Sequence, residues 1–356
     1  MMTETDRTRA TKVDSMTPTK PRRRAMNKHS KKFQFDRVIR KIVQGLRQLY
    51  IPLSEYDTLD ARFGSILEQR RADEADGVAF KARSIMLVGP SGSGKTTAVR
   101  HLKHNYRHAM ATDPEKEICE FIDLQVPSPA TMKFVGAATL RALGYPYSGN
   151  KQGPAIWDQV KEQLKLRRTL FLGFDEAQDL ARYQTEKERQ SVVNTLKSLM
   201  ENSVWPVGLL LSGMPDLKKI VNQDAQLARR VDPIEFGRLH SLRDVERVLK
   251  VVQRYADRAQ IDVAASVKNE AFAMRLMHAA DYQFGLMAEI VVLTVSHALF
   301  TQGLEAKLSI RHFAEVYGER NGAEAWMNVF IADDYGRLDP RILLDDGEDS
   351  DDGEDA

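Results

Sequence analysis

The spacing of apolar positions changes character early in the chain. In "FDRVIRKIVQGLRQLY", Val38, Ile39, Ile42, Val43, Leu46 and Leu49 recur at steps of three and four, which predicts a helix ended by Pro52. "SEYDTLDARFGSILEQRRADEA" predicts a second helix, with Ser54 placed to cap it and Gly77 to close it. The pattern then contracts to the continuous apolar run "SIMLVG", a buried strand, followed by a glycine-rich turn and the helix "KTTAVRHLKHNYRHAM".

The same alternation recurs downstream. "ICEFIDL", "TLFLGF" and "WPVGLLLSG" read as strands, while "ATMKFVGAATLRALG", "AIWDQVKEQLKLR" and "EKERQSVVNTLKSLME" read as helices between them. Apolar strands separated by helices predict an α/β fold, a mostly parallel sheet covered on both faces. After "IEFGRL" the strands stop, and from Ser241 to about Tyr317 only helices are expected. The predicted divisions are a disordered basic leader (1–32), an N-terminal helical segment (33–82), an α/β nucleotide-binding domain (83–240), a small helical lid domain (241–330) and an acidic disordered tail (331–356).

Composition agrees with a soluble globular protein, since 42% of 356 residues are hydrophobic. There is no uncharged apolar run of about 18 residues, and "MMTETDRTRATK" lacks the apolar stretch of a secretory signal, so a cytoplasmic location is expected. The single cysteine, Cys119, reads as a buried strand residue. The net charge of +2 conceals an asymmetry. Residues 1–32 carry ten Lys/Arg against three acids, whereas Asp345–Ala356 carry eight acids and no base. The basic arm suits nucleic acid or serves as a solvated leader, and the tail has too little apolar surface to fold.

The candidate chemistry begins at "GPSGSGKT". A strand ending in Gly89-x-x-x-x-Gly94-Lys95-Thr96 and opening a helix is the context a phosphate-binding loop requires. Gly89, Pro90, Ser91, Gly92, Ser93, Gly94 and Thr97 form the cradle, Lys95 reaches the β and γ oxygens, and the Thr96 hydroxyl ligates Mg²⁺. "TLFLGFDEAQDL" delivers Asp175 and Glu176 to the end of an apolar strand, 80 residues after Lys95. Asp175 is expected to hold the metal's water shell and Glu176 to take the proton of the attacking water. A helix N-cap explains either acid alone but not that placement. Ser212, ending "VGLLLSG", is either a γ-phosphate contact or a turn serine. Arg229 and Arg230 in "QLARRV" either reach the site of an adjacent subunit or solvate a helix end, and the sequence does not choose between the two residues. His101, His104 and His108 lie along one helix without a further carboxylate or cysteine ligand, which reads as a wet helical face.

"GPSGSGKTT", "FLGFDEAQDL", "LLLSGMPDL", "QLARRV" and "FGLMAEIVVL", in that order, resemble the initiator-type AAA+ ATPases. "VPSPATMKFVGAATLRALGYP" and "SGMPDLKKIVNQDAQLARRV" bring the resemblance to the TniB/TnsC family of DNA-transposition regulators, over about residues 35–317. The resemblance implies ATP and Mg²⁺ as cofactors. It also implies assembly as a ring or helical filament on duplex DNA, partnership with a DDE-type transposase and a target-selection protein, and disassembly on hydrolysis. It places the duplex-facing surface after the second strand, where Ser128, Thr131, Lys133 and Arg141 have the chemistry to bind phosphate oxygens without reading sequence. One departure is visible. Gly285 is followed by Leu286 and Met287, with no arginine until Arg311, so a lid-borne phosphate sensor is in doubt and weak coupling of the lid is expected. A helicase loader or remodelling ATPase, and the cytoplasmic ATPase of an export system, are the alternatives. The chain lacks a second motor lobe after residue 240 and shows no membrane- or wall-binding segment.

Overall fold

The computed structural model describes residues 28–340 apart from 114–117, 129, 146–151, 183 and 323. The leader through residue 27 and the acidic stretch from Asp345 lie outside the described residues. Five strands form one parallel sheet: β1 (Ser84–Val88), β4 (Phe121–Gln125), β5 (Phe171–Asp175), β6 (Gly208–Gly213) and β7 (Val231–Glu235). Their order across the sheet is β4-β5-β6-β1-β7, so β6 lies between β1 and β5. β2 (Thr112–Asp113) and β3 (Ile118–Cys119) form a separate antiparallel hairpin. The helices between strands are α3 (Lys95–Tyr106), α4 (Met132–Ala142), α5 (Gly153–Leu166), α6 (Glu186–Met200), and the short α7 (Leu217–Val221) and α8 (Ala225–Ala228).

Strand pleating divides the interior in two. Successive residues point to opposite faces, and so Ile85, Leu87, Phe171 and Leu210 join one core while Met86, Val88, Leu172, Phe174, Leu209 and Leu211 join the other. Both faces are buried along β1 and β6, which is why their sequences are continuous apolar runs rather than alternating ones. The first core is closed by α2 (Ser54–Ala75), α3 and the C-terminal helices. The second is closed by α4 to α7.

After β7 come α9 (Val245–Ala259), α10 (Glu270–Ala279), α11 (Phe284–Gln302) and α12 (Ile310–Asn321). The first helix, α1 (Lys28–Arg47), packs against α9 and α11, so it joins this bundle rather than preceding the sheet. α11 is apolar and long enough to cross a membrane by length and composition, but Met287, Ile290, Val291, Val295, Ala298 and Leu299 are buried in the bundle, as in a core helix.

Several expectations need correction. The lid is not purely helical, because β8 (Asp262–Val263) and β9 (Lys307–Leu308) pair in parallel. "ICEFIDL" is two strands, since Cys119 pairs in the hairpin and Glu120 turns inward to accept from Arg71 and from the Ala111 N–H at 2.7 Å. Ser54 does not cap α2. The Leu53 carbonyl takes the Tyr56 N–H at 2.9 Å, which makes Leu53 the cap and places Ser54 inside the first turn. The leader expected to run to residue 32 is helical from Lys28. Residues 331–340, expected in the tail, pack on α10: Arg275 donates to the Ala332 carbonyl at 2.7 Å, and His278 Nε2 lies 2.8 Å from the Leu338 carbonyl.

Candidate nucleotide-binding site

The glycines of the loop after β1 have separate physical reasons. A Cβ at Gly89 would lie 2.4 Å from the backbone oxygen of Phe236, and Gly92 and Gly94 take φ of +77° and +101°, which side chains rarely adopt. α3 therefore starts at Lys95 with its N-terminus open to the loop. Ser93 is buried, Pro90 half-buried, and Ser91, Thr96 and Thr97 are exposed. The Lys95 ammonium is folded onto its own loop, donating to the Gly89 and Pro90 carbonyls at 2.9 Å each and to Ser93 Oγ at 3.3 Å. Burial pushes its pKa down, opposed by the nearby Glu176 and Asp175 carboxylates.

The acidic strand end meets the loop directly. Thr96 Oγ1 donates to Asp175 Oδ2 at 2.9 Å, and the other Asp175 oxygen accepts the Glu176 N–H at 3.1 Å. Glu176 has φ of 55° and ψ of 37°, a left-handed backbone that costs an L-residue about 1–2 kcal/mol. Such conformations gather at functional sites. Ser212 is 3% exposed and its Oγ has no hydrogen-bond partner among the described residues. It lines a cavity of about 260 Å³ together with Thr96, Arg100, Lys103, Asp123 and Asp175. A buried, unbonded hydroxyl in the same cavity as a metal-type hydroxyl and a carboxylate is an orphan that a bound phosphate or water would satisfy. The donor set thus fits a nucleoside triphosphate with Mg²⁺, with Thr96 and Asp175 as the residues that would hold the ion.

Two groups of residues escaped the sequence reading. An apolar cavity of about 410 Å³ opens beside Gly94 and Thr97, walled by Tyr50, Ile51, Leu53, Phe284, Gly285 and Ala288 among others, and suits a planar base. Its walls come from the α1–α2 connection and the lid, so only tertiary packing assembles it. A second cavity beside Ser93 is lined by Arg238, Arg243 and Arg247. Arginines of the β7–α9 segment and of α9 itself therefore come near the loop, although no arginine directly follows Gly285. The lid also touches the loop through backbone: the Leu286 N–H donates to the Gly92 carbonyl at 3.1 Å, and a Cβ on Gly285 would stand 2.5 Å from that oxygen. This contact contrasts with the weak coupling expected from the missing arginine.

The two candidate arginines differ. Arg230 pairs with Glu201 at 3.1 Å, while Arg229, at the end of α8, is exposed and has no ion pair among the described residues. Both precede β7, whose first residue is level with Ser84 at the start of β1, and Ser84 N–H donates to the Arg230 carbonyl at 2.8 Å. They lie at the sheet edge opposite their own phosphate loop, about 15 Å away along β1. The proposed DNA residues do not form one cluster. Ser128, Thr131 and Lys133 are exposed near the start of α4, and Arg141 is exposed about 15 Å further along its axis. Thr131 already has a structural duty, its Oγ1 accepting the Phe134 N–H at 3.3 Å as the cap of α4. His101 is not simply a wet-face residue, because its ring stacks on Tyr50 at 3.7 Å. The Cys119 thiol is half-buried, and burial raises its pKa.

Residues 56–240 match the family described as "Bacterial TniB protein". No curated protein matches the chain. Among solved structures, the ORC2 protein of Aeropyrum pernix in ADPNP-ADP complexes is similar with a TM-score of 0.52 at 13% identity, over 78% of this chain and 69% of that one. The ORC of Drosophila bound to DNA gives a TM-score of 0.51 at 14% identity, over 88% of this chain and 72% of that one. At such identities the likeness is one of fold, a parallel sheet followed by a helical lid.

Proposed function

Since the chain belongs to the bacterial TniB family, we propose that it is an ATP-hydrolysing, DNA-binding regulator of transposition in the cytoplasm. With ATP bound, copies assemble on duplex DNA as a ring or filament and present it to a DDE-type transposase and a target-selection protein. Hydrolysis then releases the assembly. The observation that supports this reading is that Thr96, Asp175, Glu176 and Ser212 gather at the loop, whereas Arg229, without an ion pair among the described residues, lies at the opposite end of the same sheet.

Within one chain, the loop N–H groups and Lys95 bind the β and γ phosphates, which draws the ammonium off the Gly89 and Pro90 carbonyls. Thr96 and Asp175 would hold a Mg²⁺ ion, which would supply positive charge to the phosphate oxygens when bound. Glu176 orients a water and takes its proton as the water's oxygen bonds to the γ-phosphorus and ADP leaves. Ser212 donates to the γ-phosphate or that water. Arg229 of a neighbouring copy adds a further positive charge from outside the chain, so assembly and ATP binding strengthen one another.

Negative-stain microscopy with duplex DNA, with and without a non-hydrolysable ATP analogue, tests the reading. Rings or filaments are expected with the analogue alone. A protein that stays monomeric under both conditions refutes it.

A further inference from the structure

The buried turn after Glu176 holds a side chain with both ends of its amide engaged. Gln178 is 6% exposed. Its Nε2 donates to Glu176 Oε2 at 2.7 Å, and its Oε1 accepts the Met214 N–H at 2.9 Å. Met214 follows Gly213 at the end of β6, and the Gly213 carbonyl accepts the Gly89 N–H of the phosphate loop at 3.2 Å. The approach is close enough that a Cβ on Gly213 would lie 2.4 Å from Gln178 Oε1. An unbroken series of polar contacts therefore runs from the first glycine of the loop, through the end of the strand that carries Ser212, to the carboxylate beside the reacting phosphate.

The chemistry of the amide is specific. Glutamine both donates to a carboxylate and accepts a backbone N–H. An ionised glutamate in its place only accepts, and methionine of similar length does neither with any strength. Glu176 has a flexible side chain on a left-handed backbone, and the Gln178 N–H selects one of its orientations.

We propose that Gln178 is a positioning residue for the hydrolytic carboxylate, fixing the orientation of Glu176 to the end of β6 and through it to the phosphate loop. The proposal rests on the reading of Glu176 as the general base. Gln178 acts through that carboxylate and does not itself touch the water or the nucleotide.

The test compares Gln178→Glu and Gln178→Met with the parent protein. Gln178→Glu keeps the shape and the acceptor for Met214 but turns a second carboxylate toward Glu176. Turnover at pH 8 is expected to fall about 10- to 100-fold from misplacement of the base, with KM for ATP and binding of the analogue unchanged. A readout free of activity is available in the nucleotide-free protein: the Met214 amide should stay protected from hydrogen exchange in Gln178→Glu but not in Gln178→Met.

If Gln178→Glu matches the parent in turnover, or loses only stability and affinity for ATP, the proposal is overturned and Gln178 is a fastener of its turn. The Glu176→Gln background separates the two readings. Adding Gln178→Glu there should leave the residual turnover unchanged, and a further drop overturns action through Glu176. Wild-type turnover by Glu176→Gln alone would instead refute the reading of Glu176.

Discussion

Lys95 and Ser212 show two opposite ways in which a residue of this site is built. The lysine is satisfied by its own loop carbonyls before any ligand arrives. Lys95→Ala is expected to weaken analogue binding about 10- to 100-fold by calorimetry, the loss of one or two charge-assisted hydrogen bonds. The serine is left unsatisfied in the interior. Ser212→Ala should therefore leave the thermal midpoint unchanged or slightly raised while turnover falls about tenfold, and a variant that melts lower would mean that the hydroxyl has a partner in the folded chain. For Glu176→Gln, turnover should fall about 10²- to 10⁴-fold with analogue binding retained, as measured in a single-turnover assay. The loop and the acidic pair were legible because each is a contiguous string whose chemistry demands its neighbours. Gln178 stood in the same string, "DEAQ", yet its duty depends on Met214, which no local pattern connects to it.

At the scale of elements, the decisive contact is between α11 and the phosphate loop. Gly285 permits an approach that leaves no room for a methyl group, because the obstructing atom is a backbone oxygen of Gly92. Gly285→Ala should force the helix off the loop, lowering stability by about 1–3 kcal/mol in a denaturant titration and weakening nucleotide binding. Equal affinity and stability would show that the lid tolerates the displacement. Four of the five parallel strands and most helices follow from apolar runs and periodicity, which are local, whereas β7 (Val231–Glu235) begins three residues before the stretch "IEFGRL" expected as the last strand. The hairpin of Ile118–Cys119 and the short β8–β9 pair did not, since two-residue strands carry no period and arise only when distant backbone meets. For the same reason α1 reads as a free preface in sequence but packs on α9 and α11 in the folded chain.

At the scale of the whole molecule, the proposal that an arginine serves a neighbouring copy can be tested on two residues with different surroundings. Arg230 is engaged with Glu201, whereas Arg229 is exposed at the sheet edge away from its own loop. Arg229→Glu should lower ATP turnover of the protein assembled on duplex DNA by about 10³-fold or more, without altering the monomer's melting. Arg230→Glu should act mainly on stability, through repulsion from Glu201. Mixing Arg229→Glu with Glu176→Gln should restore turnover, since the first chain retains an intact pocket and the second supplies the arginine. Failure of the mixture to recover would place Arg229 outside the shared site.

The sequence by itself determined the alternation of strand and helix, the phosphate loop, and the acidic residues at a strand end, because these depend on neighbours along the chain. Tertiary structure decided what depends on distant segments meeting. It made the order of strands that brings Ser212 to one cavity with Thr96 and Asp175, the apolar cavity shared by the α1–α2 connection and the lid, the backbone contact of Leu286 with Gly92, and the different surroundings of Arg229 and Arg230. Periodicity reports which face of an element is buried, but only packing reports what it is buried against.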